Sequence, residues 1–130
     1  MKKIFICSPF RGDIKVNTEK AKFYAGVLAK SGNIPIAPHL YFPMFLDENS
    51  ATERMMGIEM GIQLMNTCDE VRVYGFNITE GMHFELNHAR KKGIPIRLYD
   101  DEMNLVNTSM LALDDRATAD YRTVVKDLGL

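Results

Sequence analysis

The sequence has no excess of charge of either sign and no long apolar run. Sixteen Lys and Arg residues against 17 Asp and Glu residues give a formal net charge of −1. The chain therefore has neither the basic surface typical of nucleic-acid binding nor an acidic tail. No apolar stretch approaches the roughly 20 residues that a membrane-spanning helix needs. We expect neither nucleic acid nor a membrane among its partners.

Cysteine and close metal-ligand pairs are also scarce. The two cysteines, Cys7 and Cys68, each lie in or beside an apolar segment, which predicts buried free thiols rather than a disulfide. Neither forms a close Cys/His pair, and His83 and His88 lie about 140° apart around a predicted helix. There is no Walker loop and no dinucleotide fingerprint. We expect no metal and no cofactor.

The N-terminal residues 1–7 resemble the opening of a signal peptide, but their apolar part stops at Ser8 and Pro9. This is too short for a targeting segment, so we predict a first β-strand and a cytoplasmic protein.

What the sequence does contain is an alternation of short apolar runs and amphipathic segments within 130 residues, the length of one domain. The predicted strands are residues 4–7, 34–37, 69–75 and 94–99, and the predicted helices are residues 17–31, 53–66 and 80–92. This order predicts a single-domain α/β fold, a Rossmann- or flavodoxin-like three-layer sandwich. Its parallel sheet of four or five strands would have the order 2-1-3-4. Residues 101–130 are predicted to form a C-terminal extension ending in a helix.

Two segments have unusual compositions. Residues 38–49 read as a long loop rich in aromatic side chains, which either completes the core or forms a hydrophobic wall over a planar ligand. The helix at 53–66 is apolar on nearly every side, and Gly57 and Gly61 would allow a neighbour to approach its backbone closely. A second subunit is the simplest such neighbour, so we expect a homo-oligomer.

The loops after the first and third strands should meet at one crevice, because these strands are adjacent in a sheet of order 2-1-3-4. The first loop, residues 8–12, offers a hydroxyl, a guanidinium and a glycine at a helix entrance, which suits an anion such as phosphate. The other loop contains Thr79 and Gly81 and leads into Glu85, one turn inside the third helix. A carboxylate there can attack an electrophilic carbon or bind ribose hydroxyls.

Four short motifs occur in one order along residues 3–99: Ser8-x-x-Arg11-Gly12 after an apolar strand, Cys68-Asp69-Glu70-Val71, Gly81-x-x-x-Glu85-Leu86-x-x-Ala89, and Gly93-Ile94-Pro95-Ile96. In these the chain resembles the nucleoside 2-deoxyribosyltransferase superfamily, including relatives that hydrolyse 2'-deoxynucleoside 5'-monophosphates. It is most similar to small phage and bacterial members with no assigned function.

The resemblance implies that Glu85 attacks the anomeric carbon. It implies that Ser8, Phe10, Arg11 and Gly12 lie in the loop that binds a 5'-phosphate. Thr79, beside Gly81, would lie next to the sugar, and Asp69 would belong to the substrate site. Thr108 or Ser109 would supply a hydroxyl from a neighbouring subunit, so that the sites of a dimer or higher oligomer are shared.

Two positions depart from the superfamily pattern. A second acid is usual eight residues before the aspartate matching Asp69, where this chain has Gly61, and Glu59 is the nearest carboxylate, about half a turn away. His83 replaces a small residue beside the nucleophile. It would either narrow the sugar pocket or donate a proton, or it is a partly exposed surface histidine.

Two functions follow from these residues. The first is an enzyme that cleaves an N-glycosidic bond or exchanges a base on a nucleoside or nucleotide, with Glu85 as the nucleophile. The second is a binding protein that sequesters or senses a nucleotide, for example an ADP-ribose-type signal, after losing competent acid catalysis. The absence of an acid at position 61 supports the second, but of the two functions we favour the enzyme.

Overall fold

A computed structural model describes all 130 residues as one α/β domain. The strands are β1 (Lys3–Cys7), β2 (Ile34–Ile36), β3 (Glu70–Tyr74) and β4 (Ile96–Tyr99). The helices are α1 (Ile14–Lys30), α2 (Pro38–Tyr41), α3 (Ala51–Met65), α4 (Glu80–Lys92) and α5 (Ala119–Asp127), with 3₁₀ turns at Phe42–Met44 and Thr108–Leu113. No helix is both long and apolar enough to cross a bilayer.

The four strands form one parallel sheet in the order β2-β1-β3-β4, which confirms the predicted topology. In register, Phe5 of β1 lies between Ile36 of β2 and Val71 of β3. Strand β2 is at the edge, where Pro35 is tolerated because its missing N–H faces no further strand. Because β1 and β3 are neighbours, the loops that follow them leave the sheet at the same edge.

Both faces of the sheet are covered, as parallel strands require. Ile4 and Ile6 of β1 pack with Tyr24 and Leu28 of α1 on one face. Alternate residues point to the other face, where Phe5 belongs to a cluster of 17 buried residues. The chain is therefore a three-layer sandwich with α1 on one side and α4 and α5 on the other.

The segment between β2 and α3 corrects one prediction: it is not an irregular loop, because α2 and a 3₁₀ turn occupy residues 38–44. This segment also fills the space left by the two glycines of α3. A Cβ on Gly61 would lie 3.3 Å from Pro38, and one on Gly57 would lie 3.5 Å from Leu46 and 3.7 Å from Phe42. The close neighbour of α3 at these positions is the chain's own segment, so the glycines no longer argue for a second subunit.

Candidate active site

A cavity of about 300 Å³ opens at the carboxyl edge of the sheet. Its walls come from the loop after β1, from α2 and the turn that follows it, from α3, and from the first turns of α4. Six of the residues predicted from the sequence line this one cavity: Ser8, Phe10, Arg11, Thr79, Gly81 and Glu85. The structure therefore brings the two predicted loops together.

Local hydrogen bonds fix the first loop. Gly12 has φ +100°, a conformation that favours glycine and turns the chain towards α1. Asp13 caps α1 by accepting a hydrogen bond from the N–H of Val16. The Asn17 side chain donates to the carbonyl oxygens of Phe10 and Arg11, at 3.2 and 3.1 Å. Gly12 itself shapes the loop but does not line the cavity.

Glu85 lies on α4, whose predicted bounds are those observed. Thr79 caps the helix by accepting a hydrogen bond from the N–H of Met82, and Gly93 ends it with φ +71°. The Glu85 side chain points towards β1, where the buried Cys7 thiol donates to its Oε1 at 3.6 Å. Burial raises the pKa of Glu85 from 4.5 to about 8, and the hydrogen bond from Cys7 opposes only part of this shift. The carboxyl group is thus mostly protonated at neutral pH.

His39, from α2, is a second cavity residue with a shifted pKa. Its Nε2 lies 2.9 Å from Ser8 Oγ, and burial lowers its pKa to about 4. The imidazole is therefore neutral at physiological pH. It can exchange a hydrogen bond with Ser8, but it does not carry a proton for general-acid catalysis there.

Two arginines line the cavity, Arg11 from the loop after β1 and Arg54 from α3. Arg11 donates from Nη2 to the carbonyl oxygen of Glu48 at 2.8 Å, and its Nε lies 3.7 Å from the Glu48 carboxylate. Arg54 of α3 has only one charged neighbour, the Glu80 carboxylate, 3.8 Å from its Nη1. Three carboxyl groups and two guanidinium groups thus line one space, and the guanidinium groups suit a polar substrate with an anionic part.

Two residues assigned to the substrate or to acid catalysis lie away from the cavity. Asp69 precedes β3, at the amino edge of the sheet, where its Oδ2 accepts a hydrogen bond from the backbone N–H of Lys3 at 2.7 Å. Glu59 is exposed on α3, whereas Gly57 and Ile58 of that helix line the cavity. Within one chain, therefore, neither Asp69 nor Glu59 lines this cavity.

His83 and Ser109 also lie outside the cavity. His83 Nε2 is 3.1 Å from Asp120 Oδ2, so this histidine connects α4 to α5 rather than facing the cavity. Ser109 is exposed and donates its hydroxyl hydrogen bond to Asn107 at 2.6 Å. In a single chain neither contributes to the site.

Four cavity residues escaped the sequence analysis: His39, Glu48, Arg54 and Glu80. His39 was accessible to the same reasoning that found Ser8, because it lies at the carboxyl edge of the sheet, three residues after β2 ends at Ile36. Arg54 gave no sequence signal, since one arginine near a helix start is ordinarily solvated. No group of three or more His, Cys, Asp or Glu side chains is arranged to hold a metal ion.

Comparisons with known structures give the fold a context. A 2-deoxyribosyltransferase from the psychrotolerant bacterium Bacillus psychrosaccharolyticus superposes with a TM-score of 0.63 at 18% identity, covering 94% of this chain and 89% of the other. A conserved protein from Enterococcus faecalis V583 gives 0.60 at 14% identity, covering 97% and 87%. At these identities the likeness shows a shared fold.

No curated protein matches the chain. The profile of one family, described as Domain of unknown function (DUF7768), matches residues 2–99, from the start of β1 to the end of β4. This span is most of the chain and includes every residue that lines the cavity. The chain therefore belongs to the DUF7768 family.

Proposed function

We propose that the chain cleaves the N-glycosidic bond of a nucleoside or nucleotide, or exchanges its base, with Glu85 as the nucleophile. The observation that carries this proposal is one cavity containing both the Glu85 carboxyl group and the Ser8–Arg11 loop. The fold shared with a 2-deoxyribosyltransferase supports it, as does a cavity volume at the lower end of the range for small-molecule sites.

The chemistry is a double displacement. An ionised Glu85 oxygen attacks the anomeric carbon while the C–N bond breaks, and the base leaves with the bonding electrons and takes up a proton. Water, or a second base, then attacks the same carbon, and the carboxylate is released. Thr79 and Gly81 lie at the cavity wall on the helix that carries Glu85, where they would contact the sugar.

The raised pKa of Glu85 gives this mechanism a pH dependence. Only the ionised carboxylate is a nucleophile, and with a pKa of about 8 roughly a tenth of the molecules are ionised at pH 7. kcat/KM should therefore rise about fivefold from pH 7 to pH 8 and level off above pH 9. Burial that raises the ground-state energy of the carboxylate also makes it more reactive towards a developing cationic sugar.

The reaction also needs a proton donor for the leaving base, and the lack of an evident donor supports a second function. Glu59 lies outside the cavity and His39 is neutral at physiological pH, so neither offers acid assistance within one chain. This favours, as the alternative, a protein that binds a nucleotide and releases it intact. In either case we propose a homo-oligomer in which Ser109 of a neighbouring copy completes the site.

The test is base release from a panel of nucleosides and nucleoside 5'-monophosphates, followed by chromatography. Glu85→Gln should abolish release, because an amide cannot form the glycosyl ester. Glu19→Gln is the matched control, since Glu19 is an exposed carboxylate on α1, and it should leave the rate unchanged. Release that persists in Glu85→Gln would contradict the assignment of the nucleophile.

Binding measurements on the same panel separate the two functions. Base release by the wild-type chain supports the enzyme. Tight binding without release, with the intact ligand recovered after denaturation, supports the binding protein.

A further inference from the structure

Arg54 is a partly buried cation whose side-chain donors make no hydrogen bond within the chain. Its side chain is 19% exposed, it lines the cavity, and its guanidinium makes no hydrogen bond within the chain. A guanidinium has five N–H donors in a fixed fork that fits a carboxylate or a phosphate. Because these donors face the cavity and have no hydrogen-bond partner in the chain, they are available to acceptors that a ligand supplies.

The only nearby carboxylate does not satisfy Arg54. Glu80 Oε1 lies 3.8 Å from Nη1, beyond hydrogen-bonding distance, and the Glu80 side chain is 83% exposed. Such a solvent-screened pair contributes little. Arg54 therefore keeps most of its positive potential for whatever enters the cavity.

Arg11, in contrast, is already occupied. It donates to the Glu48 carbonyl oxygen at 2.8 Å, and the Glu48 carboxylate 3.7 Å away offsets its charge. It is also more exposed than Arg54, at 49%. Of the two arginines that line the cavity, Arg54 is the one whose donors are free for a ligand.

We propose that Arg54 binds an anionic oxygen group of the substrate, a phosphate or a carboxylate, and so makes the cavity select charged nucleotides over uncharged nucleosides. This inference rests on the proposed function for the class of ligand. It adds an anion-binding residue on α3, on a different element from the Ser8–Arg11 loop. A phosphate and a carboxylate can each offer two oxygens to the planar guanidinium fork, and they differ in where they sit on a nucleotide.

The experiment measures binding by calorimetry on the full-length chain, in the Glu85→Gln background so that turnover does not consume the ligand. The probes are inorganic phosphate, one nucleoside, its 5'-monophosphate, and a nucleoside whose base carries a carboxylate. Arg54→Met removes the charge and keeps the apolar stem, and Arg54→Lys keeps the charge. Arg90→Met is the matched control, because Arg90 is exposed in the last turn of α4 and is outside the cavity.

Arg54→Met should weaken binding of the anionic probe about tenfold to a hundredfold, the usual effect of losing a charge-assisted hydrogen bond, and change nucleoside affinity less than threefold. Arg54→Lys should recover part of the loss, and Arg90→Met should bind as the parent does. Whether the monophosphate or the carboxylated base is affected identifies the source of the anion.

Equal affinity of Arg54→Met and the parent for every anionic probe would overturn the inference. So would an equal loss for charged and uncharged probes with the fold intact by circular dichroism, or no binding of any anionic probe by the parent. A different result would refute the proposed reaction alone. If nucleotide binding depends on Arg54 but the wild-type chain releases no base, the catalytic proposal is wrong and the role of Arg54 in binding is supported.

Discussion

Glu85→Gln should stabilise the protein at neutral and alkaline pH, although it removes the proposed nucleophile. The carboxyl group has an ordinary pKa of 4.5 and a pKa of about 8 in the folded chain. Between these two values the folded state holds a proton that the unfolded state has lost. Raising the pH through this window therefore favours unfolding, the reverse of the usual behaviour of a carboxylate in an ion pair.

The magnitude follows from 1.36 kcal/mol for each pH unit of displacement. At pH 7 the solution is 2.5 units above the ordinary pKa of 4.5. The Glu85 carboxyl group therefore lowers the free energy of unfolding by at most about 3 kcal/mol relative to an uncharged side chain. Above pH 8 this loss of unfolding free energy levels off at about 5 kcal/mol. Access of water to the carboxyl group through the cavity makes the loss smaller than this value. Glutamine has nearly the same shape and no charge, and its amide oxygen can still accept the Cys7 hydrogen bond.

Urea unfolding of the wild-type and Glu85→Gln chains at pH 4.5, 7 and 9 measures this directly. For a 130-residue chain, 3 kcal/mol corresponds to roughly a 10 °C rise in Tm. The two chains should be equally stable at pH 4.5 and diverge as the pH rises. Equal stability at all three pH values would show that the carboxylate is well solvated, and it would refute both the raised pKa and the pH dependence of activity derived from it.

Two further predictions concern residues that hold the fold and the cavity wall. Gly61→Ala should cost about 1 kcal/mol of unfolding free energy and weaken ligand binding, because its Cβ would lie 3.3 Å from the rigid ring of Pro38 and displace α2, which outweighs the roughly 1 kcal/mol that alanine gains over glycine in a helix; unchanged melting and binding would contradict this. Glu70→Gln should cost about 1–3 kcal/mol at pH 7, because Glu70 accepts hydrogen bonds from Arg72 and Arg97 at 2.6 and 3.1 Å. Burial raises the pKa of Glu70, but the two arginines outweigh it and hold the pKa below 4.5, so the difference in urea stability from wild type should shrink as the pH falls below 4.5.

The sheet and one half of the cavity followed from the sequence, because both depend on patterns along the chain. Apolar runs separated by helical stretches fix the order of a parallel sheet, and that order places the loop after β1 beside the loop after β3. Ser8, Arg11 and Glu85 met in the cavity for this reason. The same argument excludes Asp69, which comes before its strand and so lies at the opposite edge.

The other half of the cavity depends on side-chain packing, which the pattern of apolar and polar residues along the sequence does not predict. The aromatic segment forms α2 and a 3₁₀ turn that seat against glycines of α3, and this contact brings in His39 and Phe42. No sequence pattern distinguishes Arg54, because its partial burial and its lack of hydrogen bonds depend on the packing of α3 against its neighbours. Glu59, the carboxylate nearest the missing second acid, and His83, a candidate proton donor, both lie outside the cavity.

The larger buried cluster draws six of its 17 members from beyond Tyr99, past the span that defines the family. Tyr121, Val124 and Val125 of α5 cover the same face of the sheet that α4 covers, and Asp120 contacts His83 of α4. A protein truncated after β4 would expose the apolar surface that α5 covers beside α4. We expect such a fragment to aggregate, because the matched family span alone leaves this face of the sheet partly uncovered.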